Sequence, residues 1–173
     1  LKERGLMSKE ETLEFLININ TCFDLIENLE VPVICLIKGA TLGGGAELAL
    51  CCDIIAADYN GEHKIGFPEV KLGIIPGAGG TYRIFKKMNQ GTAKRWILSG
   101  DQFSLEEACK DGFVNFNVQN YDRYEILIKS FLSNSRTSLV AAKKSMNKCY
   151  LEIDRKKQRL IELGEYKKTL DSP

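Results

Sequence analysis

Two glutamates and a run of three glycines are the residues of this chain whose types and spacing best suit chemistry. Thr41-Leu42-Gly43-Gly44-Gly45-Ala46-Glu47 follows the apolar run Val31-Pro32-Val33-Ile34-Cys35-Leu36-Ile37, so the glycines fall where a strand hands over to a helix. Glycine lets the backbone approach a ligand closely, and the first N–H groups of a helix lack intrahelical acceptors and carry the positive end of its dipole. A negative charge developing on a ligand would be held there. Glu47 comes two residues after the last glycine, in a segment otherwise apolar through Leu48, Ala49, Leu50, Cys51 and Cys52. Glu69, in Phe67-Pro68-Glu69-Val70, precedes the loop Gly73-Ile74-Ile75-Pro76-Gly77-Ala78-Gly79-Gly80-Thr81, which has too many breakers for a regular element. Either glutamate alone reads as a solvated loop or cap carboxylate. Together, at strand ends of one α/β unit and beside backbone donors, they suit general acid and base work.

Rival chemistries find little support. There is no GxSxG elbow and no G-x-x-x-x-G-K-[ST] phosphate loop, and Gly77-Ala78-Gly79-Gly80 misses the G-x-G-x-x-G spacing. His63 is the only histidine and reads as a solvated loop residue in Asn60-Gly61-Glu62-His63-Lys64, so a catalytic triad and a metal site both lack ligands. The six cysteines (Cys22, Cys35, Cys51, Cys52, Cys109, Cys149) form no CxxC pair and no zinc spacing, and read mostly as small core residues of a reducing compartment. Arg155-Lys156-Lys157-Gln158-Arg159 reads as a solvated helix face.

The elements that must position these residues follow from periodicity and caps. Ser8 with Glu11 gives a capping box, and Leu13, Leu16, Ile17, Phe23 and Ile26 recur at helical spacing, predicting a helix over about 8–28. Val31–Ile37 reads as a strand buried on both faces, Ile54–Ala57 and Lys64–Phe67 as further strands, and the strand–helix–strand order as a right-handed crossover. Helices are expected over about 82–88 and 92–98. Another follows the capping box of Ser104 and Glu107 and closes at Gly112, before a strand at Phe113–Phe116. Beyond Tyr121 the pattern is helical to the end, so the chain divides into an α/β part, 1–120, and a helical part, 121–173. It opens at Leu1 and stops at Asp171-Ser172-Pro173 straight after a charged helical segment, which looks like a piece of a longer polypeptide.

The 173 residues, 44% hydrophobic and 27% charged, suffice for one domain with a real core. With 24 basic and 23 acidic side chains there is no global field to attract nucleic acid or an anionic membrane, and no apolar run approaches the length of a membrane span.

Val31-Pro32-Val33, then Lys38-Gly39-Ala40-Thr41-Leu42-Gly43-Gly44-Gly45-Ala46-Glu47-Leu48-Ala49-Leu50-Cys51-Cys52-Asp53-Ile54, resembles the signature of the enoyl-CoA hydratase/isomerase (crotonase) family. The resemblance continues through Phe67–Thr81, Leu98-Ser99-Gly100, Glu107-Ala108 and Gly112-Phe113-Val114, nearly the whole chain. Leu1-Lys2-Glu3-Arg4 with Met7-Ser8 looks most like its methylglutaconyl-CoA hydratase branch. The resemblance implies a spiral of strand–helix turns that assembles as a homotrimer or dimer of trimers through C-terminal helices. It also implies an oxyanion hole of two backbone N–H groups for a thioester oxygen. One falls on Gly44; the other belongs to a motif ending just before the Leu1-Lys2 match, which this chain lacks. The family's catalytic glutamates map onto Glu47 and Glu69, with Gly43, Gly77 and Lys2 as positions binding substrate or water, Gly77 through an N–H to the catalytic water and Lys2 near the adenine of coenzyme A.

The implied activity is hydration of a 2-enoyl-CoA thioester, 3-methylglutaconyl-CoA or a short-chain enoyl-CoA, in fatty-acid or branched amino-acid breakdown. No cofactor is expected, since coenzyme A is part of the substrate. The implied setting is a mitochondrial matrix or a bacterial cytoplasm. Two glutamates favour hydration over the isomerisation that relatives with one generally perform. An RNA-binding role, known in one similar branch, sits poorly with Glu10, Glu11, Glu14, Asp24 and Glu27 on the first helix.

Overall fold

The computed structural model describes residues 7–58, 62–118 and 121–170. Helix α1 (Lys9–Glu27) starts at the expected capping box: the Glu11 N–H donates to Ser8 Oγ at 3.1 Å and the Ser8 N–H to Glu11 Oε2 at 2.7 Å. Strand β1 (Ile34–Ile37) is shorter than the expected 31–37. Pro32 has no N–H to give, and the Val33 N–H donates to the Asp53 carboxylate at 2.7 Å rather than to a strand. Nor is β1 buried on both faces, since only Ile37 is fully covered.

After β2 (Thr41–Leu42) comes α2 (Gly44–Leu50), and then β3 (Ile54–Asp58), whose three central residues are the buried ones. The chain continues through β4 (Ile65–Gly66), a 3₁₀ turn (Pro68–Leu72), α3 (Gly80–Arg83), a second 3₁₀ turn (Ile84–Lys86), α4 (Gln90–Ser99), β5 (Gln102–Phe103), α5 (Leu105–Asp111) and β6 (Phe116–Val118). Strand β3 lies between β1 and β6 in a parallel sheet, with Ile34 opposite Ile54 and Ala56 opposite Phe116. Parallel neighbours require a crossover, and α2 lies within the one from β1 to β3.

Three local features differ from the sequence reading. The helix expected over 82–88 starts earlier, at Gly80, and tightens to 3₁₀ geometry after Arg83. The strand expected at 113–116 begins at Phe116, because the Val114 N–H still donates to Ala108 O of α5 at 3.0 Å. The expected strand at 64–67 is present as β4, but β2 and β5, which flank it in a second small sheet (β2 parallel and β5 antiparallel to it), were not expected.

The mainly aliphatic core of this part contains an aromatic cluster. Trp96 of α4 stacks on Phe103 at 4.2 Å and on Phe113 at 5.1 Å, and its indole N–H donates to Asp111 Oδ2 at 2.7 Å. His63 is not a solvated loop residue: it is 9% exposed, with its ring nitrogens on Gly39 O and Asp58 O. The cysteines are less uniformly internal than expected, since Cys51 and Cys52 are buried, Cys22 is exposed and the other three are half-buried. Among the described residues no helix is long and apolar enough to cross a membrane.

The described residues group into two units. The first takes in α1 and everything from Val33 to β6. The second holds Leu29–Pro32 with α6 (Tyr121–Leu132), α7 (Arg136–Leu151) and α8 (Arg155–Lys167). Within the second, Glu165 is buried on α8 between the ammonium groups of Lys148, at 2.8 Å, and Lys168, at 2.6 Å. Arg155, Lys156, Lys157 and Arg159 are exposed, as a solvated face requires.

Candidate active site

The junction into α2 is built by backbone hydrogen bonds. The Gly43 N–H donates to Gly66 O of β4 at 2.9 Å, and Gly43 takes φ 55° and ψ −121°, a conformation open to glycine. This turns the chain out of β2 and into the helix within one residue. Gly44, exposed, is then the first helical residue, and its N–H is among those without an intrahelical acceptor. One turn on, Glu47 is only 3% exposed.

A buried carboxylate must be hydrogen-bonded, and the glycine-rich loop supplies the donors. Glu47 Oε1 accepts from the Ala78 N–H at 2.8 Å and from the Gly80 N–H at 2.9 Å. Gly80 is tight against this carboxylate: a Cβ there would lie 3.0 Å from Glu47 Cγ and 3.0 Å from Pro76 Cβ. Glu69, 8% exposed, stands on the 3₁₀ turn Pro68–Leu72, with Oε1 packed against Gly43.

Glu47, Glu69, Gly43, Gly44 and Gly77 all line one cleft of about 330 Å³. Its other walls are apolar and include Phe15, Leu16 and Ile19 of α1 with Leu72 and Ile74. The structure therefore brings together five of the six site residues that the sequence points to; Lys2 lies outside the described residues. Gly77 is held by α1 from behind. The Asn20 side-chain amide donates to Gly77 O at 2.7 Å, and a Cβ on Gly77 would come within 2.7 Å of Leu16 Cδ2.

Sequence reasoning missed Asn20 and Arg83. The Arg83 side chain is wholly buried, and its guanidinium donates to Glu27 at 2.7 Å, to Ala78 O at 2.8 Å and to the Asp24 carboxylate. Burial works against the charge on Glu27, but hydrogen bonds from Arg83 and Lys86 outweigh it and hold its pKa below the usual carboxylate value. Burial likewise opposes the charge on Arg83, and the bond to Glu27 overcomes it, raising the guanidinium pKa. The signal for Asn20 was present: it interrupts the apolar stripe of α1 four residues after Leu16.

Such an arrangement offers two carboxylates and a backbone donor to one small apolar space. That combination can take a proton from one atom, deliver a proton to another and stabilise an oxyanion between them.

The chain is similar over most of its length to proteins of one family. The pattern that describes enoyl-CoA hydratase/isomerase matches residues 1–172. Enoyl-CoA isomerase/hydratase fer4 of Mycosarcoma maydis is 47% identical over 116 residues, covering 66% of this chain and 42% of that protein. Mitochondrial methylglutaconyl-CoA hydratase of Homo sapiens is 35% identical over 177 aligned positions, covering 98% of this chain and 51% of that one. The crystal structure of an enoyl-CoA hydratase from Bacillus anthracis superposes with a TM-score of 0.91 at 32% identity, covering 99% of this chain and 67% of that chain. The chain spans about half the length of these curated relatives. With the family pattern running from residue 1 to 172 and the backbone matching an enoyl-CoA hydratase throughout, the chain belongs to the enoyl-CoA hydratase/isomerase (crotonase) family.

Proposed function

We propose that the protein carrying this chain adds water, reversibly and in the syn sense, across the double bond of a 2-enoyl-CoA thioester. The observation that carries this reading is the burial of two carboxylates, Glu47 and Glu69, in one apolar cleft that also includes Gly44. Water sits between the carboxylates. Its oxygen bonds to the β carbon as its proton passes to one carboxylate, and the α carbon receives a proton from the pair, so H and OH are added and the pair's proton count is unchanged. The Gly44 N–H holds the thioester oxygen as it gains enolate charge; a donor of this kind contributes about 2.7–4 kcal/mol to the transition state. Glu69 takes the larger acid/base share, because Oε1 of Glu47 is already held by two N–H groups whereas Glu69 stands against Gly43, next to the oxyanion donor. Gly77 contributes at the water site.

The walls favour an apolar acyl chain. Among the described residues no lysine or arginine lines the cleft, so a short-chain enoyl-CoA fits better than the carboxylate-bearing 3-methylglutaconyl-CoA. No further cofactor is needed, since coenzyme A arrives with the substrate. Exposed Leu132, Met146, Tyr150, Leu151, Ile153 and Leu160 on and beside α6–α8 support assembly of copies through the helical part, as a homotrimer or dimer of trimers. Six cysteines without a disulfide suit a reducing compartment, a mitochondrial matrix or a bacterial cytoplasm.

The test is the loss of enoyl-thioester absorbance when the full-length protein meets crotonyl-CoA, with ¹⁸O water as tracer. Hydration incorporates solvent oxygen. Turnover without incorporation would replace hydration by isomerisation, and no turnover across a panel of enoyl-CoA thioesters would sink the reading.

A further inference from the structure

Arg83 lies behind the cleft, touches no substrate space and is nonetheless among the most completely buried charges in the described chain. Its guanidinium has three different acceptors on two elements. Nε donates to Glu27 Oε2 at 2.7 Å and Nη2 to Asp24 Oδ1, both on α1, while Nη1 donates to Ala78 O at 2.8 Å. The same residue, Ala78, donates its N–H to Glu47 Oε1 at 2.8 Å. Ala78 is thus gripped on both sides, by a fixed cation at its carbonyl and by Glu47 at its N–H.

The local sequence is shaped around this grip. Gly79 has φ 94°, and a Cβ there would lie 2.0 Å from Arg83 Nη1 and 2.6 Å from the Tyr82 hydroxyl. The loop can pass Arg83 only because residue 79 has no side chain. Tyr82 covers the guanidinium face, 4.9 Å from its ring centre. One residue back, Asn20 of α1 binds Gly77 O at 2.7 Å, so two successive loop carbonyls are held, one by α1 directly and one through Arg83.

We propose that Arg83 is a positioning residue for the reaction: it ties the 77–80 loop to α1 and so fixes the two N–H donors that orient Glu47. The proposal rests on the hydratase reading for its catalytic consequence. A buried arginine could serve packing alone, but packing needs neither a three-way fork nor a glycine placed to admit it. Lysine keeps the charge and loses the planar fork, so a single Nζ stands where three guanidinium nitrogens each face a different acceptor.

The test uses full-length protein with Arg83→Lys, and with Ile84→Val as a control that loosens the same buried segment without touching the loop hydrogen bonds. Two quantities are read: steady-state hydration of crotonyl-CoA, and exchange of the Ala78 and Gly80 amide protons. Arg83→Lys is expected to lower kcat by about 10²-fold with KM within about threefold, and to speed exchange at both amides by about tenfold. Ile84→Val is expected to leave kcat, KM and both exchange rates near wild type. Wild-type kcat in Arg83→Lys, or lost kcat with both amides still protected, would overturn the proposal. So would an equal loss of kcat in the control. Should Arg83→Lys not fold, Asp24→Ala removes one acceptor of the fork at an exposed position, and kcat must fall while exchange at both amides speeds up. An inactive wild-type protein would sink the hydratase reading instead, while the exchange measurement would still decide whether Arg83 holds the loop.

Discussion

Gly43 leaves room for Glu69: a Cβ on Gly43 would lie 2.6 Å from Glu69 Oε1, closer than unbonded atoms approach. The glycine is therefore required twice, for its φ of 55° and for the carboxylate beside it. Gly43→Ala is expected to destabilise the fold by about 1–3 kcal/mol through backbone strain. It should also lower kcat by more than that instability explains, because Glu69 is displaced. Chemical denaturation and crotonyl-CoA kinetics on the same sample check both.

Glu47→Gln and Glu69→Gln each keep the shape of the cleft while removing a proton acceptor. Each is expected to reduce kcat by about 10²–10⁴-fold, the usual scale for a positioned acid or base. Glu69→Gln should be the more damaging of the two. Near-wild-type turnover in both would contradict the mechanism.

Trp96 is the only tryptophan and is fully buried between Phe103 and Phe113. Trp96→Ala is expected to cost about 3–5 kcal/mol of stability. Trp96→Phe should cost less but leave the Asp111 carboxylate without its indole donor. In the unaltered protein, tryptophan fluorescence should shift to the red at the same denaturant concentration at which the circular dichroism of the core is lost.

Glu27 has a lowered pKa in the folded chain, despite burial, because Arg83 and Lys86 bond to it. A carboxylate with a depressed folded value contributes stability above its unfolded value of about 4.3, and that contribution disappears as pH falls through the lower folded value. Thermal stability should therefore decline as pH is lowered past about 4. In Glu27→Gln the decline should be shallower and the stability at neutral pH lower. Equal slopes would show that this pair does not govern the acid limb.

The thiols differ in access. Burial pushes the Cys51 thiol up to about 12, and hydrogen bonding with Cys52 raises that of Cys35 further. Cys22 is exposed on α1. Under native conditions a maleimide should label Cys22 first, with Cys51 and Cys52 reacting only on unfolding, as mass spectrometry of digested protein would show.

Much of the site was legible in the sequence because its signals are local. The capping boxes at Ser8 and Ser104 join residues three apart, and Glu47 stood out against its apolar neighbours. Strands β2 and β5 were not legible, since two residues establish no period. His63 looked solvated because its composition is that of a turn, yet the folded chain gives both ring nitrogens backbone carbonyls. Arg83 escaped for a different reason: its acceptors on α1 lie 56 and 59 residues earlier, and nothing in the intervening chain marks the pairing.

Residues 29–32 belong to the helical unit although the chain on either side of them belongs to the other. Lys143 of α7 donates to Val31 O at 3.0 Å, and Lys144 forms an ion pair with Glu30. The boundary is therefore interleaved along the chain, and no single cut separates the units. Ending the polypeptide after β6 would strip the short 29–32 bridge of both lysines, and that bridge joins α1, which holds Arg83, to β1. Excision of the helices would thus be felt in the stretch that follows the first helix.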